Sequence, residues 1–166
     1  LPEPFASWFR QRGWQPRPHQ LELLGLAQSG RSSLLIAPTG AGKTLAGFLP
    51  SLIDISLNAV KRRPGAALSS ARRGIHTLYI SPLKALAVDI ERNLATPVAE
   101  MDLAVRIETR TGDTPQSKRQ RQKLNPPDIL LTTPEQIALL IASREADLLF
   151  DGLKYVILDE LHSLVT

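Results

Sequence analysis

The chain has 166 residues, no cysteine, and 20 Lys and Arg against 16 Asp and Glu, which gives a net charge of +4. This length suits one domain that buries a single hydrophobic core. The lack of cysteine excludes a disulfide framework and a cysteine-based zinc site, and no apolar run is long enough to span a bilayer. We therefore expect a soluble, cytoplasmic domain with no membrane partner, whose positive charge favours a polyanion.

The predicted elements begin with two helices within residues 1–33. The aromatic stretch 5–10 is typical of a short helix packed at a domain edge, and a second helix begins near Arg17-Pro18-His19-Gln20. Strands are then predicted at residues 34–37, 77–81, 105–109, 129–132 and 156–158, with helical segments between most of them. This alternation predicts an α/β fold with a mostly parallel sheet and helices on both faces.

A glycine-containing loop follows the first predicted strand and precedes a helical segment. A triphosphate requires a tight turn of inward-pointing N–H groups, a lysine at the β- and γ-phosphates and a hydroxyl on Mg²⁺. The loop begins with Ala37-Pro38, where the strict pattern has glycine first, and a chance Gly-Lys-Thr in a turn is the alternative. The candidate nucleotide-binding residues are Thr39, Gly40, Ala41, Gly42, Lys43 and Thr44.

Polar residues and prolines follow the three middle strands, at the edge where ligands of open parallel sheets bind. A lysine can reach a phosphate, while hydroxyls and backbone N–H groups can hold a sugar-phosphate chain without reading bases. Strand-ending prolines, a glycine turn and a helix cap are the alternative interpretations. The candidates are Pro82, Lys84, Thr111, Gly112, Thr133 and Pro134.

Two basic clusters favour surface structure over a specific site. Residues 60–74 combine Lys and Arg with Ala, Ser and Gly, which predicts a flexible loop. Residues 118–123 predict a solvated helix. Nucleic-acid binding is the alternative for both.

The last predicted strand leads into the acidic run Asp159-Glu160-Leu161-His162. In phosphate-loop enzymes the first such acid holds Mg²⁺, and a neighbouring carboxylate orients or deprotonates the attacking water. Asp159 is thus the candidate metal ligand with Thr44, and Glu160 the candidate catalytic residue beside Lys43. A strand followed by a solvated acidic turn is the alternative.

These ordered motifs resemble superfamily 2 helicases of the DExH type. The acidic run is the motif that names the class, Ser81-Pro82-Leu83-Lys84-Ala85-Leu86 resembles its motif Ia, Arg110-Thr111-Gly112-Asp113 its motif Ic, and Thr132-Thr133-Pro134-Glu135-Gln136 its motif Ib. The segments 75–80 and 126–131 are similar to the large-helicase-related branch. Within this branch, the bacterial ligase-associated DNA damage response helicases look most similar.

The resemblance implies that residues 1–166 are the first RecA-like domain of an ATP-dependent DNA helicase, cut before the motif III strand. It implies ATP and Mg²⁺ as cofactors and Gln20 as the residue that reads adenine, since its amide matches adenine N6 and N7. Implied partners are single-stranded DNA or a duplex with a 3′ tail, a second RecA-like domain, and a DNA ligase and nuclease in bacterial DNA repair. The fragment alone would not translocate.

Three other interpretations stay open. A phosphate-loop NTPase of another class, such as a small-molecule kinase or GTPase, explains the loop and the acids but not the middle motifs. An ATP-dependent RNA helicase remains open because the candidate contacts involve backbone atoms, and recognition of the 2′-OH depends on geometry. A nucleic-acid-binding module without catalysis conflicts with the intact Lys43, Thr44, Asp159 and Glu160.

Overall fold

A computed structural model describes residues 1–38, 40–60 and 74–165. Its backbone forms two compact units, Leu1–Lys61 with Thr96–Ala104, and Arg62–Ala95 with Val105–Thr166. The flexible loop predicted at residues 60–74 falls almost wholly on residues 61–73, which lie outside the described residues. Along the described residues, no helix combines the length and apolar content that a bilayer crossing requires.

Three helices dominate the first unit: α1 (Phe5–Gln11), α2 (Pro18–Gln28) and α3 (Lys43–Val60). The two helices predicted before residue 33 are therefore confirmed. Helix α2 begins with proline at its first position, where a missing N–H costs no intrahelical bond. Its capping residue, Arg17, has an extended backbone, and α2 packs along α3.

Apolar side chains hold the first unit together. Helix α1 buries Phe5, Trp8 and Phe9 on one face. Leu49 and Leu52 of α3 have no exposed surface. Burial of a leucine side chain contributes about 1.5–3 kcal/mol to stability, so this core fixes the helix that follows the phosphate loop.

The second unit is built on four parallel strands: β1 (Thr77–Ile80), β2 (Ile107–Arg110), β3 (Ile129–Thr132) and β4 (Tyr155–Leu158). They lie side by side in the order β2-β3-β1-β4. The helices that follow them are α4 (Lys84–Glu100), α5 (Gln116–Leu124), α6 (Pro134–Ile141), α7 (Ala146–Phe150) and α8 (Leu161–Leu164). Residues of α4 from Thr96 onward belong to the first unit.

Strand register aligns the carboxyl ends of this sheet. Ile80 of β1 pairs with Thr132 of β3 and with Leu158 of β4, and Arg110 of β2 pairs with Thr132. The residues that follow the four strands therefore start from one level of the sheet. All four residues of β3 are buried, so both of its faces are shielded from solvent, as expected for a parallel sheet.

Two backbone segments lie in close contact beside the buried core of the second unit. Ile75, Leu78, Leu130, Leu140 and Leu149 form a buried cluster. The backbone N–H of Ile75 donates to the carbonyl oxygen of Leu149 at 2.7 Å. A Cβ atom on the preceding residue, Gly74, would lie 2.2 Å from the same oxygen, so only glycine fits there.

The strand predicted at residues 34–37 is wrong. These residues have no regular structure, and Leu34 and Ile36 are 69% and 87% exposed. A β-strand exists only with a hydrogen-bonded neighbour, and none of the four described strands pairs with this segment. The apolar run has the composition of a β-strand, but strand propensity alone does not provide a neighbouring strand for hydrogen bonding.

The other predicted strands are confirmed with small shifts. The strand at 129–132 is unchanged, that at 77–81 ends one residue earlier, and that at 156–158 begins one residue earlier. The strand predicted at 105–109 lies at Ile107–Arg110, so Arg110 belongs to the sheet and the loop starts at Thr111. The helix predicted at residues 118–123 is part of α5.

Candidate nucleotide and nucleic-acid site

The described part of the phosphate loop is a turn that leads directly into α3. Gly40 and Gly42 have φ of +80° and +74°, values that favour glycine, and the N–H of Ala41 donates to the carbonyl oxygen of Pro38 at 3.2 Å. Lys43 and Thr44 form the first turn of an 18-residue helix, where unpaired N–H groups attract phosphate. Thr39 lies outside the described residues. The loop thus leads into a helix start of the kind that can bind an anion, beside an exposed lysine.

Gln20 contacts this loop. It is 4% exposed, its Oε1 accepts the N–H of Arg17 at 2.9 Å, and its Nε2 donates to the carbonyl oxygen of Gly42 at 3.3 Å. A Cβ on Gly42 would lie 2.8 Å from Nε2. The amide keeps a second N–H and a second acceptor position, which is what the predicted pairing with adenine requires. Sequence analysis missed the contact because its partners are 22 residues apart.

Asp159 is held from three sides at the end of β4. Its backbone N–H donates to the carbonyl oxygen of Ile80 at 3.0 Å, its Oδ2 accepts the hydroxyl of Tyr79 at 2.8 Å, and its Oδ1 accepts the N–H of Glu160 at 2.9 Å. Charge-assisted hydrogen bonds of this kind fix a carboxylate in one orientation. Sequence analysis did not identify Tyr79, since nothing in the sequence relates it to a residue 80 positions away.

The hydroxyl of Tyr79 stays protonated and acts as a donor. Burial raises the pKa of Tyr79 far above its usual range, and the hydrogen bond to Asp159 raises it further. A hydrogen bond from the Ser81 side chain lowers the pKa of Tyr79 and only partly offsets these effects. A neutral phenol therefore faces an ionised carboxylate, which is the favourable pairing.

Glu160 has an unusual backbone conformation. Its φ of +50° and ψ of +46° are left-handed, which costs a non-glycine residue on the order of 1 kcal/mol. It precedes α8, and its Oε2 lies 3.2 Å from Nε2 of the exposed His162. The two adjacent acids therefore differ in environment: Asp159 is anchored to the sheet, and the Glu160 carboxylate is partly exposed.

The residues present fit a magnesium ion. Among the described residues, no group of three or more His, Asp or Glu side chains could hold a metal by itself. Mg²⁺ in nucleotide enzymes instead binds one or two carboxylates, waters and the substrate phosphates. Asp159 keeps a free acceptor position on each oxygen, and Thr44 offers a hydroxyl in the first turn of α3. Each of these two groups, taken within its own unit, is an oxygen donor of the kind that Mg²⁺ prefers.

Two of the predicted nucleic-acid loops meet in the second unit. Nζ of Lys84 lies 3.3 Å from Oδ2 of Asp113, in an ion pair whose side chains are 55% and 80% exposed. A Cβ on Gly112 would lie 3.4 Å from the same Nζ. Thr111 is buried, and its Oγ1 accepts the N–H of Asp113 at 3.2 Å. The loop after β2 therefore lies against the start of α4, just beyond the partly exposed Pro82.

The third predicted loop lies close to the same lysine. Thr133 caps α6 with Pro134 at its first position, and Thr133 is buried. A backbone hydrogen bond lowers the pKa of Glu135, with smaller contributions from the Thr133 side chain and the charge of Lys84. Thr133 stands at the capping position of α6 but makes no side-chain cap hydrogen bond, and Thr132, which the alternative interpretation proposed as the cap, lies in β3. The charge of Lys84 extends to this loop.

Arg110 hydrogen-bonds to helices α5 and α6, which follow two of these loops, and sequence analysis did not identify this role. It is buried, its Nε donates to Oε1 of Gln136 at 3.3 Å, and its Nη1 donates to the carbonyl oxygen of Arg119 at 3.1 Å. Burial lowers the pKa of Arg110, and the charge of Arg119 adds to this. From the sequence alone, an arginine at a strand end that is buried and hydrogen-bonded to two helices looks the same as an arginine on the surface.

Comparisons with known proteins agree with this geometry. The DEAD/DEAH box helicase family matches residues 17–166. The ATP-dependent helicase Lhr-Core of Methanocaldococcus jannaschii is 36% identical over 174 residues, covering 99% of this chain and 20% of that protein. The Lhr helicase/uracil glycosylase of Escherichia coli is 38% identical over 179 residues, covering 98% of this chain and 11% of that protein. The chain thus spans a fifth or less of these relatives.

Solved structures give the same result. The helicase Lhr of Mycobacterium smegmatis bound to ssDNA and AMP-PNP matches with a TM-score of 0.80 and 35% identity, covering 95% of this chain and 20% of that one. The DUF1998 helicase MrfA bound to DNA and AMPPNP matches with a TM-score of 0.81 and 30% identity, covering 98% and 21%. The predicted RecA-like α/β fold and the helicase resemblance are confirmed. This chain belongs to the DEAD/DEAH box helicase family.

Proposed function

We propose that this chain is the ATP-binding motor domain of an ATP-dependent DNA helicase or translocase. The observation that carries the proposal is the aligned edge of the sheet in the second unit. There, the anchored Asp159 follows β4 at the same level as the loops of Lys84, Thr111 and Thr133 follow the other strands. A nucleotide-hydrolysis residue and a set of backbone-binding groups on one rigid edge can influence each other.

On the nucleotide side, five residues have separate roles. Lys43 neutralises charge on the β- and γ-phosphates, and the N–H groups at the start of α3 bind their oxygens. Mg²⁺, when bound with ATP, neutralises charge that develops on the phosphates. Thr44 and Asp159 hold and orient that ion, and Glu160 orients the attacking water and accepts its proton. Gln20 selects adenine while it also supports Gly42.

The nucleic-acid side holds a strand without reading its sequence. Lys84 exchanges its partner Asp113 for a phosphate, and the N–H of Gly112 and the hydroxyls of Thr111 and Thr133 bind neighbouring backbone atoms. Pro82 and Pro134 fix the directions of the two loops. DNA as the polymer is supported by the matched structures, which are described as bound to ssDNA and to DNA.

The remaining assignments concern the whole protein. A second RecA-like domain supplies the other wall of the nucleotide site, and opening and closing of the two domains moves the strand. We assign the protein to bacterial DNA repair in the cytoplasm, beside a DNA ligase and a nuclease. The basis is the resemblance of segments 75–80 and 126–131 to the large-helicase-related branch, within which the ligase-associated group looks most similar.

The proposal is tested by nucleotide-dependent binding and strand separation in the full-length protein. We expect fluorescence anisotropy to detect tight binding of single-stranded DNA with AMP-PNP, and ATP to separate a duplex with a 3′ tail. Lys84→Ala should reduce the slope of log affinity against log salt by about 0.7, as expected for one lost phosphate contact on a single strand.

Lys154→Ala is the matched control, because Lys154 precedes β4 at the opposite end of the sheet. It should leave the salt slope unchanged. Equal slopes for wild type and Lys84→Ala would contradict the DNA assignment of this loop. If the protein preferred single-stranded RNA to single-stranded DNA, the proposed polymer would be RNA instead of DNA.

A further inference from the structure

Tyr79 joins two neighbouring strands through its side chain. It lies in β1, beside Ile157 of β4, and is 1% exposed. Its hydroxyl donates to Oδ2 of Asp159, the residue that follows β4, at 2.8 Å. A buried hydroxyl without a partner is costly, so the tyrosine and the aspartate stabilise each other's position.

Both oxygens of the Asp159 carboxylate are thereby engaged. The N–H of Glu160 binds Oδ1, and the Tyr79 hydroxyl binds Oδ2. The Glu160 contact comes from the adjacent residue, so it ties the carboxylate only to its own stretch of chain. The Tyr79 contact comes from another strand of the sheet, and it is the one that fixes the side-chain orientation.

Ser81 extends this contact toward the nucleic-acid side. It lies two residues after Tyr79, on the same face of the extended chain, and is fully buried. Its side chain hydrogen-bonds that of Tyr79. Its Oγ also lies 3.3 Å from the backbone N–H of Leu83, which precedes Lys84. A row of hydrogen bonds therefore runs from the loop after β1 to the carboxylate at the end of β4.

We propose that Tyr79 is a positioning residue that fixes the Asp159 carboxylate for the metal–nucleotide complex, and that Ser81 connects this contact to the loop of Lys84. The inference rests on the proposed function. The same hydrogen bonds then hold the Lys84 loop in the shape that binds a DNA strand and hold the Asp159 carboxylate in the orientation that binds Mg²⁺·ATP. Because coupling between two ligands is reciprocal, bound nucleotide raises DNA affinity through the same contacts.

The test uses Tyr79→Phe in the full-length protein and measures binding of a fluorescent AMP-PNP derivative as Mg²⁺ is titrated. The substitution removes one oxygen atom and keeps the buried ring. We expect the half-saturating Mg²⁺ concentration to rise about tenfold, as for a lost hydrogen bond to a charged group. Nucleotide binding without Mg²⁺ should not change, because the loop of Lys43 is untouched. The gain in DNA affinity caused by the nucleotide should shrink by a similar factor.

Tyr155→Phe is the matched control. Tyr155 is the other tyrosine of the chain, and its ring lies near His76 and Lys154 at the start of β4. This variant should keep the wild-type Mg²⁺ dependence. A merely structural role for Tyr79 would lower the melting temperature without moving the Mg²⁺ titration.

Ser81→Ala provides a second variant that leaves both Tyr79 and Asp159 in place. It should shift the Mg²⁺ titration by a smaller factor, about threefold, because it acts through Tyr79. If Tyr79→Phe does not fold, this variant decides the inference. Wild-type titrations for every folded variant would overturn it. Loss of Mg²⁺-dependent nucleotide binding in the wild-type protein would overturn the proposed function itself.

Discussion

The phosphate loop and the acidic end of β4 both belong to the proposed nucleotide machinery but are held in different ways. Asp159 donates its backbone N–H to Ile80 of β1, and its carboxylate accepts hydrogen bonds from Tyr79 of β1 and from its neighbour Glu160. The loop has a turn within it, one contact from Gln20 to Gly42, and a preceding segment without regular structure. The acid is preorganised by the sheet, whereas the loop depends on its glycines and on α2. Changes in the two regions should therefore have different consequences.

The largest effect is expected at the exposed lysine of the loop. Lys43→Ala removes the charge that stabilises the phosphates in the transition state, so ATP turnover should fall by about 100-fold or more. The steady-state ATPase rate of the full-length protein measures this, with Lys118→Ala on α5 as a control for loss of one positive charge. Wild-type turnover in Lys43→Ala would remove the basis for calling this segment a phosphate loop.

A slightly smaller effect is expected at the acidic end. Glu160→Gln keeps Asp159 and its hydrogen bonds but removes the carboxylate that orients water, so turnover should fall by about 100-fold. Binding of Mg²⁺·AMP-PNP should stay near the wild-type level, which separates this variant from Lys43→Ala. If Glu160→Gln lost nucleotide binding as well, the division of roles between the two acids would be incorrect.

The dependence of the loop on Gln20 can be isolated with two glycine substitutions. Gly40→Ala and Gly42→Ala both place a side chain at positive φ, but only the second brings a Cβ to 2.8 Å from Nε2 of Gln20. Hydrogen exchange of residues 40–46 in the nucleotide-free protein should be about fivefold faster in Gly42→Ala than in Gly40→Ala, as for one lost hydrogen bond. Equal exchange would mean that Gln20 does not support the loop.

The smallest effect is expected at a clamp in the unit that carries the loop. Nε1 of Trp8 donates to Oε2 of Glu100 at 2.6 Å, and the Arg12 guanidinium pairs with both oxygens of that carboxylate. The hydrogen bonds from Arg12 and then Trp8 lower the pKa of Glu100 below its usual 4.5. Its stabilising contribution is therefore complete above that value and is lost as the pH falls through the depressed pKa.

Glu100→Gln should accordingly lower the melting temperature slightly at neutral pH, and the difference from wild type should disappear in acid. Thermal melts across the pH range from neutral to strongly acidic measure this. Gln28→Glu, at the end of α2, controls for a change of carboxylate number elsewhere in the same unit. A difference that grows as the pH falls would contradict the assigned direction of the pKa shift.

Local sequence patterns were sufficient to predict the strands of the second unit to within about two residues. The strand at 129–132 begins with three apolar residues, ends at Thr132 and is bounded by prolines on both sides, so its limits could be read directly. The segment 34–37 has similar apolar content but no strand in the described sheet beside it. Strand formation depends on a neighbour, and a single segment of sequence does not contain that information.

The site residues divide in the same way. Spacing made Lys43, Thr44, Asp159 and Glu160 candidates, because helix starts and strand ends are local features. The contacts that hold them were not predictable, since Gln20 meets Gly42 across 22 positions and Tyr79 meets Asp159 across 80. Which buried polar side chain meets which partner is decided by strand order and register, which follow only from the folded sheet.

The most direct measurement of the central claim is the ATPase rate of the full-length protein without nucleic acid, with single-stranded DNA, and with single-stranded RNA, using GTP as the comparison nucleotide. A DNA motor predicts strong stimulation by DNA and a preference for ATP over GTP. Turnover that is indifferent to either polymer would contradict the motor assignment and favour a phosphate-loop enzyme of another class.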